Sequence, residues 1–383
     1  MANQLSAQEH SDAMRDYVRL GTDKAYSIGN RGPIRFDANG QLTQEILDAY
    51  WEHGFYVFEG LVSEEEIHLL RKDYDYILDH APVDNKSDVD LLGRPALGIE
   101  LAQRPYNMIT PLSDPWGGTD LLGGRHQTQM DQPTPAPDAP KKVPFIIGSM
   151  CQLSDAALRL YGHPDILTVA EGVNGSDFVP FNDATFVKQP GLGGSVAWHQ
   201  DGLTHWASPE WDEGIHGFNF QVQLYECTAY NCLWVMPATH KFGKIDIKQR
   251  VADNSGSVQL PGAVPLLCNP GDVTIVNRQV LHCSFANSSP NIRISITFGF
   301  HRRTSVLGAR GVLGQEAGVV YDEQRVDLRS SVIQVAVDAR ANYYPNERRY
   351  AYLPFSGRED EYRYCPDVIG RVLKDYTLND LSI

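Results

Sequence analysis

Hydrophobic and polar positions alternate with different periods along the chain, and the periods divide it into zones. A helix opens at Leu42-Thr43-Gln44-Glu45, with Thr43 as N-cap and Ile46, Leu47 and Tyr50 recurring at helical spacing up to Gly54. Phe55-Tyr56-Val57-Phe58 then reads as a short strand ended by Gly60, and Ser63-Glu64-Glu65-Glu66 is a capping-box start for a second helix reaching about His80. Residues 103–142 lose all periodicity and are rich in Pro and Gly, the composition of a long lid or binding loop. A helix-like stretch covers Ser154 to Tyr161, and from about 167 to 300 short alternating strands punctuated by Gly, Pro and Asn dominate. Many short strands with irregular turns favour a sandwich or jelly-roll barrel. Residues 1–40 are polar and irregular, the pattern of a loosely attached arm; residues 41–300 form the main domain, and 301–383 a C-terminal extension over the barrel.

Composition narrows the setting more than the chemistry. The chain has 383 residues, 42% hydrophobic and 10% aromatic, so a sizeable core can be buried. Its net charge of −15 disfavours nucleic acid or an anionic membrane surface as partner. No apolar run is long enough to cross a bilayer, and the polar N-terminus lacks a signal-peptide pattern, so a cytoplasmic location is the default expectation. The six cysteines show no CxxC pairing and read as buried reduced thiols. The sequence leaves the oligomeric state open.

Candidate chemistry begins at Trp198-His199-Gln200-Asp201. On a strand, residues two apart share a face, so His199 and Asp201 would project together as an imidazole and a carboxylate, two ligands suited to ferrous iron. Chance supplies many such triplets, and a solvated loop histidine is the competing reading. A facial triad needs a further histidine. The segment Gly271 to His282 offers one: a Gly-Asp turn leads into β-branched residues and delivers His282 at the far end. Eleven residues on, Arg293, Ser295 and Thr297 share one face of another strand. A buried arginine there needs an anionic partner or several acceptors, either an internal carboxylate or one brought by a ligand.

Taken together, these segments resemble the phytanoyl-CoA dioxygenase family of Fe(II)/2-oxoglutarate oxygenases. The resemblance runs through most of residues 42–300, including His53-Gly54-Phe55-Tyr56-Val57, Lys188-Gln189-Pro190-Gly191, Asn231-Cys232-Leu233-Trp234-Val235-Met236-Pro237-Ala238-Thr239-His240-Lys241 and His282-Cys283-Ser284. It implies a mainly β fold, a double-stranded β-helix (a cupin-like jelly roll) flanked by N-terminal helices and a C-terminal extension. It further implies iron on His199, Asp201 and His282, and 2-oxoglutarate and O₂ as co-reactants, with Arg293 on the distal carboxylate of 2-oxoglutarate and Ser295 helping. With Asp201 present, hydroxylation or a related oxidation is favoured over halogenation. Two departures, Tyr230-Asn231 where the family has Asn-Gly and Ala238 where it has Gly, touch turn geometry and not the ligands.

Around this core, Phe218-Asn219-Phe220-Gln221-Val222-Gln223-Leu224 alternates an apolar face with an amide face. The amides, Gln221 among them, either face the cavity as cofactor-binding groups or face solvent. Lys188 stands between the same two readings. His240 and His301 read as structural, His205 and His216 as surface or pocket-wall residues, and Trp206, Trp211, the 103–142 loop and the C-terminal tail as specificity determinants. Two other readings compete with an active oxygenase. One is a catalytically silent binder of the same fold; the other is a cupin-type metal enzyme without 2-oxoglutarate, whose usual cluster of histidines around a Glu is absent near residues 199–205.

Overall fold

The computed structural model describes residues 5–313 and 317–383. Residues 1–4 of the expected arm and 314–316 of the expected extension lie outside the described residues. In chain order the strands are β1 (Arg31–Gly32), β2 (Phe55–Phe58), β3 (Tyr106–Ile109), β4 (Val143–Ile147), β5 (Val179–Lys188), β6 (Val196–His199), β7 (Phe218–Gln223), β8 (Trp234–Val235), β9 (Val264–Pro265), β10 (Val273–Asn277), β11 (His282–Ser284) and β12 (Arg293–His301). They form a large sheet in the order β1-β2-β10-β7-β12-β5-β4-β3 and a small one in the order β6-β11-β8-β9. At their centre, β5-β12-β7-β10 faces β6-β11-β8-β9, so from β5 to β12 successive strands switch between sheets, apart from the β8–β9 pair, as a jelly roll requires. This is the double-stranded β-helix that the sequence implies. Helix nonetheless exceeds strand, 34% against 19%, because helices coat the outer face of the large sheet.

The alternation in β7 explains that coat. Phe218, Phe220, Val222 and Leu224 pack outward with Ile294, Ile296, Phe298 and Phe300 of β12 against Tyr161, Ile166, Leu167, Val332 and Ile333 from the helices. The polar faces of β7 and β12 are thereby turned into the barrel. Helix α2 (Gln44–His53) ends on Gly54 in the left-handed conformation, and a Cβ there would meet Val280 Cγ2 at 2.3 Å and His240 Nδ1 at 2.6 Å. Helix α3 (Glu64–Asp79) starts from Ser63, whose hydroxyl accepts from the Glu66 N–H. Both helices and β2 stand where the sequence pattern places them.

Two expectations are corrected. The segment after residue 163 is a helix, Pro164–Asn174, and not the start of the strands. A short buried apolar run (Ile166, Leu167, Val169, Ala170) fits either element, and here the His163 cap with Pro164 in the first turn decides for helix. The expected irregular arm contains a 22-residue helix, α1 (Ala7–Ile28), with a full capping box at Ser6 and Glu9. Met14 is buried with the small-sheet core, Tyr17 stacks on Trp234 at 4.6 Å, and the Tyr17 hydroxyl donates to Leu260 O at 2.9 Å. A mean polarity this high hid the helix because it buries only a narrow stripe. The C-terminal helix Glu323–Tyr343, in turn, is buried on every side from Arg329 to Arg340, which erases the amphipathic signal. No helix among the described residues is long and apolar enough to cross a membrane.

Docking of α1 depends on Gly21, where an added Cβ would lie 2.4 Å from Trp234 Cζ3. Gly21→Leu is expected to lower stability by about 1–3 kcal/mol through overpacking, seen as a fall in thermal midpoint. An unchanged midpoint would mean that α1 contributes no packing to the fold.

Candidate metal centre and cavity

His199 closes β6 and His282 opens β11, and the antiparallel register sets them directly opposite one another. Directly opposed residues project from the same face, and the two imidazole centroids lie 4.1 Å apart. Each ring is fixed the same way: His199 Nδ1 lies 2.8 Å from Ala197 O and His282 Nδ1 lies 2.8 Å from Val280 O. Each Nδ1–H donates to a carbonyl two residues back, so the proton sits there and both Nε2 lone pairs point to a common space.

Asp201 reaches that space by a route the strand argument did not foresee. β6 ends at His199, and Asp201 sits in the following bend, its N–H donating to Arg278 O at 2.7 Å. Gln200 pins the bend, with Nε2 donating to Gln279 O at 2.7 Å and to Gly243 O at 2.9 Å while Oε1 accepts from the Ile245 N–H. The Asp201 carboxylate comes within 3.4 Å of His199 Nε2 and 3.7 Å of His282 Nε2. One donor atom from each of the three residues lies within 4.8 Å of the others, a buried set capable of binding iron.

The charge state suits a metal. Burial raises the Asp201 carboxyl, but Arg125, with His199 and His282, overrides it and holds the group well below the usual carboxylate range. Burial, reinforced by His199, pushes the His282 imidazole down to about 3, leaving it neutral and able to donate its lone pair. Asn219 Nδ2 donates to Asp201 Oδ2 at 2.7 Å, Arg125 Nη1 lies 3.1 Å from Oδ1, and Arg278 Nε lies 3.9 Å from Oδ2.

The three donor residues, Arg125 and Asn219 line one cavity of about 450 Å³, bounded by the 103–142 loop, by β5 and β7, and by Thr377 and Asp380 of the C-terminal extension. Asn219, Gln221 and Thr297 face into it, which decides the amide face in favour of the cavity. Arg293, 2% exposed, also reaches it. Its Nη2 donates to Gln221 Oε1 at 2.9 Å, its Nη1 to Asn231 O at 3.1 Å and its Nε to the Ser295 hydroxyl at 2.7 Å, all neutral acceptors. Ser295 in turn donates to Gln223 Oε1, so it holds the arginine in place and is not itself on the cavity wall.

Other expectations resolve individually. Lys188 is fully buried, Nζ donating to Phe285 O at 2.5 Å, and is neither a cavity wall nor an exposed strand end. His240 is structural, Nε2 donating to Trp51 O at 3.0 Å, and His301 pairs with Arg278 at 3.1 Å. His216 is wholly buried on Gln279 and Thr204, so it is neither surface nor pocket wall. Trp206 and Trp211 lie outside the cavity lining. Arg125 and His126 went unnoticed in the sequence, since the loop that carries them has no periodicity to single them out. His126 is completely buried with its ring 4.3 Å from His199, and burial pushes its imidazole far down.

Because Asn219 orients Asp201, Asn219→Ala is expected to weaken Mn(II) binding roughly 10–100-fold without unfolding the protein. Unaltered affinity by calorimetry would show that the amide does not position the carboxylate.

The family profile described as "Phytanoyl-CoA dioxygenase (PhyH)" matches residues 50–295. A curated relative named phytanoyl-CoA dioxygenase 1, from Oryza sativa subsp. japonica, is 32% identical over 117 residues, which is 29% of this chain and 40% of the relative. The match therefore spans less than half of the rice protein's length. Another, phytanoyl-CoA dioxygenase from Arabidopsis thaliana, is 23% identical over 265 residues, 66% of this chain and 87% of the relative. Among solved structures, EctD from S. alaskensis with 2-oxoglutarate and 5-hydroxyectoine is 17% identical with a TM-score of 0.47, covering 75% of this chain and 83% of that one. The non-heme alpha ketoglutarate dependent epimerase SnoN from nogalamycin biosynthesis is 16% identical with a TM-score of 0.43, covering 72% and 88%. With its profile matched across most of the barrel, the chain belongs to the phytanoyl-CoA dioxygenase family.

Proposed function

We propose that this protein is an Fe(II)- and 2-oxoglutarate-dependent oxygenase that hydroxylates a C–H bond of a small organic substrate. The observation that carries the reading is the pairing, in one cavity, of a His–Asp–His donor set with a buried arginine whose hydrogen bonds all go to neutral acceptors. A buried guanidinium without an anion is costly, and a dicarboxylic cosubstrate would supply that anion.

In this reading His199 and His282 would hold the metal through Nε2 and Asp201 through a carboxylate oxygen, and a three-residue donor set would leave room for cosubstrate and oxidant. Arg293 pairs with the distal carboxylate of 2-oxoglutarate; Ser295, Gln221 and the Asn231 carbonyl hold the guanidinium at the required angle. Iron, 2-oxoglutarate and O₂ together supply the oxidising chemistry, in which one oxygen atom enters the substrate C–H bond and the other enters succinate as CO₂ leaves. Trp116, Leu122, Phe181 and Phe186 wall the cavity and limit water around the reacting atoms. Asp201 fills the position that a halide would need, which favours hydroxylation over halogenation. A reducing, cytoplasmic setting suits a ferrous site and accords with free cysteines.

The test is succinate formation from 2-oxoglutarate by iron-loaded protein. His199→Ala and His282→Ala are expected to abolish it and to lower iron occupancy; full activity in either would reject these ligands. Arg293→Ala is expected to raise the KM for 2-oxoglutarate roughly 100-fold, the scale of removing one partner of a buried charge pair. An unchanged KM would place the cosubstrate elsewhere, and metal binding with no 2-oxoglutarate consumption would favour a cupin-type enzyme.

A further inference from the structure

Arg125 is a cation on the cavity wall that neither the metal ligands nor the cosubstrate clamp accounts for, whereas Arg104, also on the wall, pairs with Asp88. It projects from the 103–142 loop, 15% of its side chain exposed, and lines the same cavity. Its Nη1 lies 3.1 Å from both the carbonyl and the carboxylate Oδ1 of Asp201. Its Nε is buried with no acceptor. Asp201 already has a second guanidinium, Arg278, and the Asn219 amide, so Arg125 is more than its positioning requires.

Metal binding sharpens the imbalance. A divalent ion draws on the same carboxylate that Arg125 uses, and two guanidinium groups then share what is left of one negative charge. The other acids on the cavity wall are engaged elsewhere: Asp183 accepts from the Tyr376 hydroxyl at 2.6 Å and lies 3.5 Å from Arg329, and Asp380 accepts from Arg329 Nε at 2.8 Å. In the oxygenase reading the distal carboxylate of the cosubstrate pairs with Arg293 and its other carboxylate would go to the metal, so neither is left for Arg125. The lining that Arg125 shares holds apolar side chains, Trp116, Leu122, Phe181 and Phe186, beside the amides Asn107, Asn182, Asn219 and Gln221. A cavity of about 450 Å³ lies toward the small end of ligand pockets.

Resting on the oxygenase reading above, we infer that Arg125 anchors a primary-substrate subsite that takes a small carboxylic acid with an apolar body. The acid group pairs with the loop guanidinium as the metal claims Asp201, and the apolar body lies along the aromatic wall. The long loop thereby becomes part of the binding site, and substrate charge holds it against the barrel.

The test uses the full chain loaded with Mn(II) and saturating 2-oxoglutarate, with cyclohexanecarboxylate and its uncharged amide as probes. Binding is followed by NMR of the probe, whose lines broaden only when it sits near the paramagnetic ion. The acid is expected to bind about ten-fold or more tightly than the amide, the scale of one charge-assisted hydrogen-bonded pair. In Arg125→Gln the preference should shrink to about two-fold or less, and in Arg125→Lys, which keeps the charge but not the fork, part of it should return. Equal binding of acid and amide, an acid that does not bind at millimolar concentration, an acid that merely displaces 2-oxoglutarate, or a preference that survives Arg125→Gln would each overturn the inference. Failure of the wild-type protein to bind 2-oxoglutarate beside Mn(II) would instead overturn the oxygenase reading, and this inference with it.

Discussion

The register between β6 and β11 is the constraint on which the rest of the site depends. It sets His282 opposite His199, and in an antiparallel pair that opposition alone puts both rings on one face of the small sheet. Each ring then repeats one local device, an Nδ1–H donated to the carbonyl two residues before it, which leaves both Nε2 atoms free in the same space. A one-residue slip would turn His282 into the small-sheet core and bring Cys283 to the cavity. The buried Trp198, Trp234 and Cys283 around these strands are what make such a slip costly.

The cavity built on that register has an uneven charge distribution. Arg125 and Arg278 flank Asp201, and Arg293 sits among neutral acceptors, whereas Asp183 and Asp380 share Arg329 on the side formed by the C-terminal extension. A site of this kind is complementary to anions, although the chain as a whole is acidic. Burial keeps His282 neutral, whereas Asp201 stays ionised against burial because Arg125 and the two imidazoles favour its charged form, so both groups are already in their metal-binding protonation state.

Legibility in the sequence followed periodicity. Thr43, Gly54, Ser63 and the Phe55–Phe58 run mark local boundaries through caps and turns, and the structure places α2, β2 and α3 accordingly. The HxD pair and His282 could be read because their spacing, taken with the family resemblance, outweighs each motif alone. The Pro164–Asn174 helix is hidden in the sequence because most of its side chains are buried and little polar face remains, and α1 because its buried stripe is narrow on a polar surface. Arg125, His126 and Trp116 could not be singled out at all: a loop without a repeating pattern gives no clue to which side chain turns inward, and only the folded chain brings them beside His199 and Asp201. Ala238, where the family has glycine, does adopt the left-handed conformation, so that substitution keeps the turn at the cost of some local strain.

The most direct test is a crystal structure of the protein grown with Mn(II) and 2-oxoglutarate, the metal located by anomalous scattering. The account predicts a single ion bonded at about 2.0–2.3 Å to His199 Nε2, His282 Nε2 and an Asp201 oxygen, with the far carboxylate of 2-oxoglutarate on Arg293. An anomalous peak away from these three residues, or a cosubstrate whose far carboxylate avoids Arg293, would contradict it.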